Sequence, residues 1–288
     1  MAISDNTRGA LLMMGAMACF TLGDACVKAI GDAMPLAQLL FLRGIVASLF
    51  ILGLARSFGQ LGFGFPLRDW ALVALRAASE VGAAVFFLTA LMNMPIANVT
   101  ALLQMLPLTV TLASAVILRE AVGWRRWTAI GIGFVGMLLI VRPGTDGFTL
   151  WSVYALIAVA CVTTRDLATR RMSPAVPSLT VTLMSSLAVM VFAGLWSIPQ
   201  DWAPLDDRTG PLLALASVLI IGGYSLSVLV MRVGEIGFVA PFRYTGLVWA
   251  LILGLVVFDE WPEAATLAGA GIIAATGLYT FWRETRLA

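Results

Sequence analysis

The sequence predicts an all-α integral membrane protein in which ten transmembrane helices form two inverted five-helix repeats around a central cavity. Three observations lead to this prediction. The 288 residues are 60% hydrophobic and only 12% charged, whereas a soluble domain carries about 25% charged residues. Ten apolar runs are long enough to cross a bilayer. A short motif from the first half of the chain recurs in the second half.

The ten apolar runs are the predicted spans. Each needs about 20 apolar residues, because the hydrocarbon core of a bilayer is about 30 Å thick. They lie at 9–30, 35–55, 69–91, 95–118, 125–142, 150–169, 176–197, 211–231, 237–258 and 264–282. Turn-forming seams such as GDAMP at 31–35 and RPGTDG at 142–147 separate them. The first run is too long for the apolar part of a signal peptide, so we expect it to be a retained helix.

Basic residues in the short connections predict the orientation, since cytoplasmic loops are enriched in Lys and Arg. With the N-terminus inside, eleven basic residues fall on the cytoplasmic side and three on the outside. The first group is Arg8, Arg56, Arg68, Arg119, Arg125, Arg126, Arg170, Arg171, Arg232, Arg283 and Arg286, and the second is Lys28, Arg142 and Arg208. We therefore expect a multi-pass protein of the bacterial inner membrane with both termini in the cytoplasm.

The composition also argues against several kinds of site. There is no histidine, which removes imidazole catalysis and most zinc sites. The net charge of +2 comes without a basic tract, so no nucleic-acid partner is expected. The single lysine, Lys28, does not follow a glycine, so a P-loop is absent. Cys19, Cys26 and Cys161 lack the even count of a disulfide framework and are expected to pack. GIGFVG at 131–136 lies within a span and is expected to pack helices rather than bind a dinucleotide. We expect no cofactor, no metal and no enzymatic activity.

The stretches ACFTLGD at 18–24 and ACVTTRD at 160–166 are two copies of one motif, 142 positions apart. Lys28 matches Arg170 at the same offset. The chain is therefore expected to divide into a first repeat at 1–146 and a second at 147–288. Because each repeat crosses the membrane an odd number of times, the second must enter it upside down. Inverted repeats of this kind are typical of secondary transporters.

Longer stretches resemble a known family. They are RGIVASLF at 43–50, MPIANVTALLQMLPLTVTLASAVILREAVGWRRWTAIGIGFVGMLLI at 94–140, and GFVAPFRYTGLVWALILGLVVFDEWPEAATLAGAGIIAATGLY at 237–279. Both halves resemble the EamA unit of the drug/metabolite transporter superfamily, and the chain looks closest to the YddG-like amino-acid exporters. The resemblance implies a carrier in which helices 3, 4, 8 and 9 line a central cavity and helices 5 and 10 are peripheral. A homodimer formed through helices 5 and 10 is an open alternative to a monomer.

Each copy of the repeated motif places an aspartate four residues before a cation, Asp24 before Lys28 and Asp166 before Arg170. At this spacing the two side chains can meet on one helix face. Inversion would place Asp24 toward the outside and Asp166 toward the cytoplasm. We therefore expect a pair of gates on opposite sides, and the alternative is two ion pairs that extend to the membrane interface.

Polar residues inside the spans predict the substrate path, because charges are costly in lipid and usually functional. Glu80 lies near the centre of the third span with Arg76 one turn earlier, so the two are expected to pair, either on the path or as a structural brace. Glu80 and Arg243 could bind the two charges of a zwitterion, and Arg43 is expected to pair with an unidentified carboxylate. The predicted path consists of Arg76, Ser79, Glu80, Thr100, Gln104, Tyr224, Phe242, Arg243, Tyr244 and Trp249.

These features predict a secondary transporter that exports neutral or aromatic amino acids, or similar small amphipathic metabolites, by alternating access. The alternative cargo is a nucleotide-derived metabolite resembling S-adenosylmethionine, or a cationic drug. An intramembrane enzyme and a passive channel are the rival classes. The scatter of Arg43, Arg76, Arg165 and Arg243 over four helices disfavours a polyanionic cargo, which would need clustered cations. The expected partners are an amino-acid-like substrate and the lipid bilayer.

Overall fold

The computed structural model describes residues 5–117, 119, 123–143, 149–233 and 236–287, and all regular secondary structure in these segments is helical. The α-helices are α1 (Asp5–Ile30), α2 (Leu36–Ser57), α3 (Leu67–Asn93), α4 (Ile96–Leu103), α5 (Leu106–Ile117), α6 (Trp124–Val141), α7 (Leu150–Arg171), α8 (Ser178–Ser197), α9 (Thr209–Val233), α10 (Ile236–Val239), α11 (Thr245–Phe258) and α12 (Ala264–Leu287). The prediction of an all-helical protein is therefore confirmed.

Eight helical segments within the described ranges are long and apolar enough to cross a membrane. They are Asp5–Ala33, Leu36–Ser57, Leu67–Asn93, Ile96–Ile117, Leu150–Arg171, Ser178–Ser197, Thr209–Ser227 and Ala240–Phe258. Two shorter apolar helices, Trp127–Val141 and Ala264–Tyr279, correspond to the predicted spans 5 and 10. The fold agrees with a multi-pass membrane protein.

Two of the predicted spans are interrupted at prolines. The run 95–118 forms α4 and α5, which are separated at Gln104 and Met105. Pro107 explains the break, because its ring clashes with the preceding turn and it has no backbone N–H to donate. In the run 237–258, a 3₁₀ turn that contains Pro241 connects α10 to α11. The expectation of one continuous helix in each run was wrong at these two places.

The helix ends gather at two opposite ends of the bundle. The lower end is the one at which α2 and α7 stop and α3 and α8 begin. There the Asp69 carboxylate accepts a hydrogen bond from the backbone N–H of Ser173 at 3.2 Å. The upper end is the one at which α1 and α3 stop and α2 and α9 begin. There the Gln38 amide exchanges two hydrogen bonds with the backbone of Ala203, at 2.8 and 2.9 Å.

Four helix pairs form the body of the bundle: α1 packs on α9, α3 on α7, α2 on α8, and α6 on α12. In the first two pairs a glycine admits a cysteine of the partner helix. A Cβ added to Gly82 would lie 2.9 Å from Cys161 Sγ, and one added to Gly222 would lie 3.3 Å from Cys19 Sγ. All three cysteines are free, and Cys26 lies in the hydrophobic core. The packing role predicted for the cysteines is confirmed.

Glycines also hold the peripheral helices α6 and α12 together. A Cβ added to Gly136 would lie 2.8 Å from the carbonyl oxygen of Gly269, and one added to Gly269 would lie 2.5 Å from that of Gly136. The prediction that the run at 131–136 packs helices is therefore confirmed. These helices bury their glycine faces against each other within one chain, and a homodimer formed through them stays a prediction.

We expect Gly269→Leu to lower the free energy of unfolding by about 1–3 kcal/mol, because overpacking a close contact forces the two helices apart. Gly271→Leu is the matched control, since no heavy atom outside its own helix lies within 4 Å of a Cβ added there. Unfolding of both variants in detergent micelles measures the difference. An equal loss in both would show that the contact with α6 is not its cause.

Candidate functional site

A cavity of about 650 Å³ lies inside the bundle. Its lining comes from α1, α2, α3, α7, α8 and α9. The lining residues are Asp24, Leu40, Arg43, Gly44, Ala47, Phe50, Ile51, Leu54, Arg76, Glu80, Ala84, Phe87, Leu88, Arg165, Asp166, Thr169, Leu179, Thr182, Ser185, Ser186, Val189, Ile220, Tyr224 and Ser227. Pockets for small molecules measure roughly 300–1,000 Å³, so this cavity is the candidate functional site.

The lining of the cavity is more exposed at the lower end of the bundle than near the upper end. Toward the upper end its lining includes Leu40 and Leu88, which are only 5% and 4% exposed. Toward the lower end Thr169 is exposed, and Leu54 and Leu179 are partly exposed. A solute would therefore enter from the lower end, which the distribution of basic residues predicts to be cytoplasmic.

The helices around the cavity differ from those that the family resemblance implies. Helices 3 and 8, now α3 and α9, contribute to the lining as expected. None of the described lining residues comes from helix 4 or helix 9, and helices 1, 2, 6 and 7 take their place. The reason is that α4 packs against α11 and α7, while α11 packs against α1. These contacts keep both elements behind the cavity wall.

Among the predicted path residues, the structure brings Arg76, Glu80 and Tyr224 into the cavity. The predicted gate residues Asp24 and Asp166 join them there. The other predicted path residues do not line it: Ser79, Thr100, Gln104, Phe242, Arg243, Tyr244 and Trp249.

Local contacts explain where several of the residues that do not line the cavity lie. The Ser79 hydroxyl donates to the carbonyl of Leu75 at 2.8 Å, within its own helix. Tyr244 is buried against Gly277 of α12, and Arg243 is exposed. Gln104, just after α4, and Tyr244, just before α11, likewise belong to segments that pack behind the cavity wall.

Arg165 is the centre of an ion network in the cavity. Its Nε donates to Asp166 Oδ1 at 2.8 Å, and its Nη1 donates to Glu80 Oε2 on α3 at 3.3 Å. Arg170, the predicted partner of Asp166, instead donates to the Ser114 hydroxyl at 2.8 Å. The predicted pairing of Asp166 with Arg170 is wrong, because the adjacent arginine turns its donors toward α3 and reaches both carboxylates.

The predicted pairing of Arg76 with Glu80 is also not present as a direct contact. Arg76 Nε donates to Thr169 Oγ1 at 3.0 Å, and its Nη1 donates to the hydroxyl of Ser185. Arg76 therefore joins α3 to α7 and α8, while Glu80 is held by Arg165. A spacing of four residues permits a contact along one helix, but the guanidinium of Arg76 donates its hydrogen bonds to hydroxyl groups on neighbouring helices instead.

Lys28 makes its ion pair across the bundle and not with Asp24. Its Nζ lies 3.0 Å from Glu260 Oε1 and donates to the carbonyl oxygens of Met94 at 2.6 Å and Leu91 at 3.2 Å. The last carbonyls of a helix have no partner within that helix, and those at the end of α3 attract the ammonium group. The predicted pairing of Asp24 with Lys28 is wrong for this reason.

Arg43 is a cavity residue that sequence reasoning left out of the predicted path. It is 9% exposed, and its buried Nε has no hydrogen-bond partner within the described part of the chain. Asp24, which carries the opposite charge, lines the same cavity. The available signal was a lone arginine in the apolar run 35–55, which by itself marks a functional position in a membrane span.

The comparisons with known proteins identify a family and a fold. The profile of the EamA-like transporter family matches residues 7–142 and 149–282. A solved crystal structure superposes with a TM-score of 0.64 at 20% sequence identity, covering 98% of this chain and 99% of that one. At this identity the structural match supports the fold alone.

Several relatives are named for different cargoes. This chain is 25% identical over 197 residues to an S-adenosylmethionine uptake transporter of Rickettsia bellii, covering 67% of this chain and 66% of that protein. It is 30% identical over 200 residues to a riboflavin transporter of Vibrio cholerae, covering 67% and 64%. A pseudopaline exporter of Pseudomonas aeruginosa is 27% identical over 271 residues, covering 92% and 93%. The matches to the first two thus span just under two thirds of those proteins.

Proposed function

This chain belongs to the EamA-like transporter family of the drug/metabolite transporter superfamily, and we propose that it exports neutral or aromatic amino acids, or similar small amphipathic metabolites, by alternating access. The family and the relatives are transporters rather than enzymes. The named relatives do not confirm the YddG-like branch, because they are named for S-adenosylmethionine, riboflavin or pseudopaline, and membership of that branch remains part of the proposal.

The charge of the cavity lining supports this cargo. Its arginines and carboxylates are equal in number: Arg43, Arg76 and Arg165 against Asp24, Glu80 and Asp166. Much of the remaining lining is apolar, including Phe50 and Phe87. A net-neutral molecule with charges of both signs and an apolar part fits such a site. The four arginines lie on four different helical elements, as expected. Three of them nevertheless line one cavity, where their carboxylate neighbours still disfavour a polyanion.

Two inverted repeats, 1–146 and 147–288, are the proposed basis of alternating access. The family profile matches the chain twice, once on each side of 143–148. The packing of α1 on α9 and of α3 on α7 is also what a pseudo-twofold exchange of the two repeats would produce. The basic residues support an inner-membrane location with cytoplasmic termini. The proposed boundary between the repeats, at 146–147, lies outside the described residues.

A nucleotide-derived metabolite resembling S-adenosylmethionine is the second candidate cargo. The relatives named as S-adenosylmethionine uptake transporters favour it. Arg43 disfavours a purely cationic drug, because a cation entering the cavity would meet a guanidinium that forms no ion pair with any described carboxylate. Some relatives are named for uptake and others for export. The names therefore do not select a direction. Export is the direction that we propose, and transport assays must test it.

Uptake into proteoliposomes tests the proposal. The panel comprises the twenty L-amino acids, S-adenosylmethionine, riboflavin and tetraphenylphosphonium. We expect saturable uptake of neutral or aromatic amino acids, accelerated when the vesicles are preloaded with the same unlabelled amino acid. Uptake that is no faster into preloaded vesicles than into empty ones would indicate a channel. Saturable uptake of S-adenosylmethionine or tetraphenylphosphonium without any amino acid would replace the proposed cargo by the alternative.

A further inference from the structure

The three arginines of the cavity differ in how many of their guanidinium N–H groups already bind an acceptor. Arg165 binds two carboxylates, and Arg76 donates to two hydroxyls. Arg43 is nine-tenths buried, its Nε has no acceptor among the described residues, and none of the described hydrogen bonds involves its other guanidinium nitrogens. Arg43 is therefore the cavity arginine whose terminal guanidinium nitrogens are available to a ligand.

Asp24 on α1 lines the same cavity as Arg43 and carries the opposite charge. None of the hydrogen bonds and ion pairs between described residues involves its carboxylate. Desolvated charges without hydrogen bonds cost free energy, and a ligand with both an anionic and a cationic group would satisfy the two together. The planar guanidinium fits a carboxylate through two parallel hydrogen bonds, and the aspartate can accept from an ammonium group.

An apolar stripe continues from this pair toward the lower end. Ala47, Ile51 and Leu54 follow Arg43 on α2 at four, eight and eleven residues, a spacing that keeps side chains on one helix face. All of them line the cavity, as does Phe87 on α3. An apolar side chain attached to the charged end of a ligand would therefore lie along this stripe.

We propose that Arg43 and Asp24 form a zwitterion subsite, in which Arg43 binds the α-carboxylate and Asp24 the α-ammonium group of an amino acid whose side chain lies along the stripe. This inference rests on the proposed function and adds the residues that recognise the cargo. Glu80 and Arg243, which the sequence predicted for this task, are not available, since Arg165 holds Glu80 and Arg243 is exposed outside the cavity.

Binding measured on purified full-length protein in detergent tests the subsite. The probe is the radiolabelled L-amino acid that the wild-type protein binds most tightly among the twenty. Its methyl ester, which lacks the carboxylate, and its des-amino analogue, which lacks the ammonium group, serve as competitors. The variants are Arg43→Gln, Arg43→Lys and Asp24→Asn. Matched controls are Arg56→Gln on α2 and Asp32→Asn just after α1, because both of these residues are exposed.

We expect Arg43→Gln to raise the Kd of the amino acid by about 10- to 100-fold while leaving that of the methyl ester within about twofold. Arg43→Lys should restore part of the affinity, because it keeps the charge without the planar donor pair. Asp24→Asn should weaken the amino acid and spare the des-amino analogue. Both controls should bind as the wild type does.

Two different failures can be told apart. If the wild type binds an amino acid and the Arg43 and Asp24 variants bind it equally well, or lose amino acid and analogues alike, the subsite is wrong and the proposed function stands. If the wild type binds none of the twenty amino acids, the proposed cargo and the subsite fail together. Monodisperse elution and an unchanged Tm establish that each variant is folded.

Discussion

Arg165→Met is expected to abolish transport and to lower the free energy of unfolding by about 3 kcal/mol. The substitution leaves Glu80 and Asp166 without the guanidinium that both of them contact at 3.3 and 2.8 Å. Removing one partner of a buried ion pair costs about 3–5 kcal/mol, and the lower figure applies because these side chains are partly exposed. Unfolding in mixed detergent micelles and uptake into proteoliposomes measure the two effects.

Arg76→Met is the matched control for this prediction. Arg76 lines the same cavity, but it donates to the neutral hydroxyls of Thr169 and Ser185, so its loss should cost about 1 kcal/mol. The double variant Arg165→Met with Glu80→Gln should recover part of the stability and remain inactive if the network serves transport. An Arg165→Met protein as stable and active as the wild type, or an Arg76→Met protein that loses more stability, would contradict the assignment.

Lys28→Met is expected to open the upper end of the cavity. Lys28 joins α1 to Glu260 after α11 and to the carbonyls of Leu91 and Met94 at the end of α3. Glu260 in turn accepts the backbone N–H of Ile96 at 3.1 Å. If losing these contacts weakens the closed state by about 2 kcal/mol, the open population rises about 30-fold.

Cysteine labelling measures this opening. Leu40→Cys, introduced in a background without the native cysteines, places a thiol at the closed end of the cavity lining. An impermeant maleimide applied from outside should modify it faster when Lys28→Met is also present. Glu263→Gln is the control, because it removes the partner of Arg142 at the same end and Glu263 has a 71% exposed side chain. Unchanged labelling with Lys28→Met would refute a gate at this end, and faster labelling from the cytoplasm alone would refute the predicted orientation.

The membrane spans could be predicted from the sequence because hydrophobicity over about 20 residues is a local property. The runs 35–55 and 150–169 correspond closely to α2 and α7. The two interruptions near Pro107 and Pro241 also have a local signal, since each proline stands inside an apolar run. Both interruptions can therefore be predicted from the sequence.

Ion-pair partners could not be predicted in the same way. The sequence shows which charges lie in the spans, and the spacing rule offers each a partner on its own helix. Lys28 and Arg165 found partners on other helices instead, since helix packing decides which acceptors a long side chain reaches. The absence of a partner is equally hard to predict: only the assembled structure reveals that Arg43 Nε has no acceptor among the described residues.

The described ion pairs that join different helices all connect the first half of the chain to the second: Lys28 with Glu260, Glu80 with Arg165, and Arg142 with Glu263. Ribosomes make the first half first, so its members enter the bilayer before their counterions have been synthesised. A nascent chain at that stage must keep these charges near water or protected by the insertion machinery. Each of these charges can be paired only after the part of the second half that carries its counterion has been made, so products truncated before that point would expose unpaired charges to quality-control proteases.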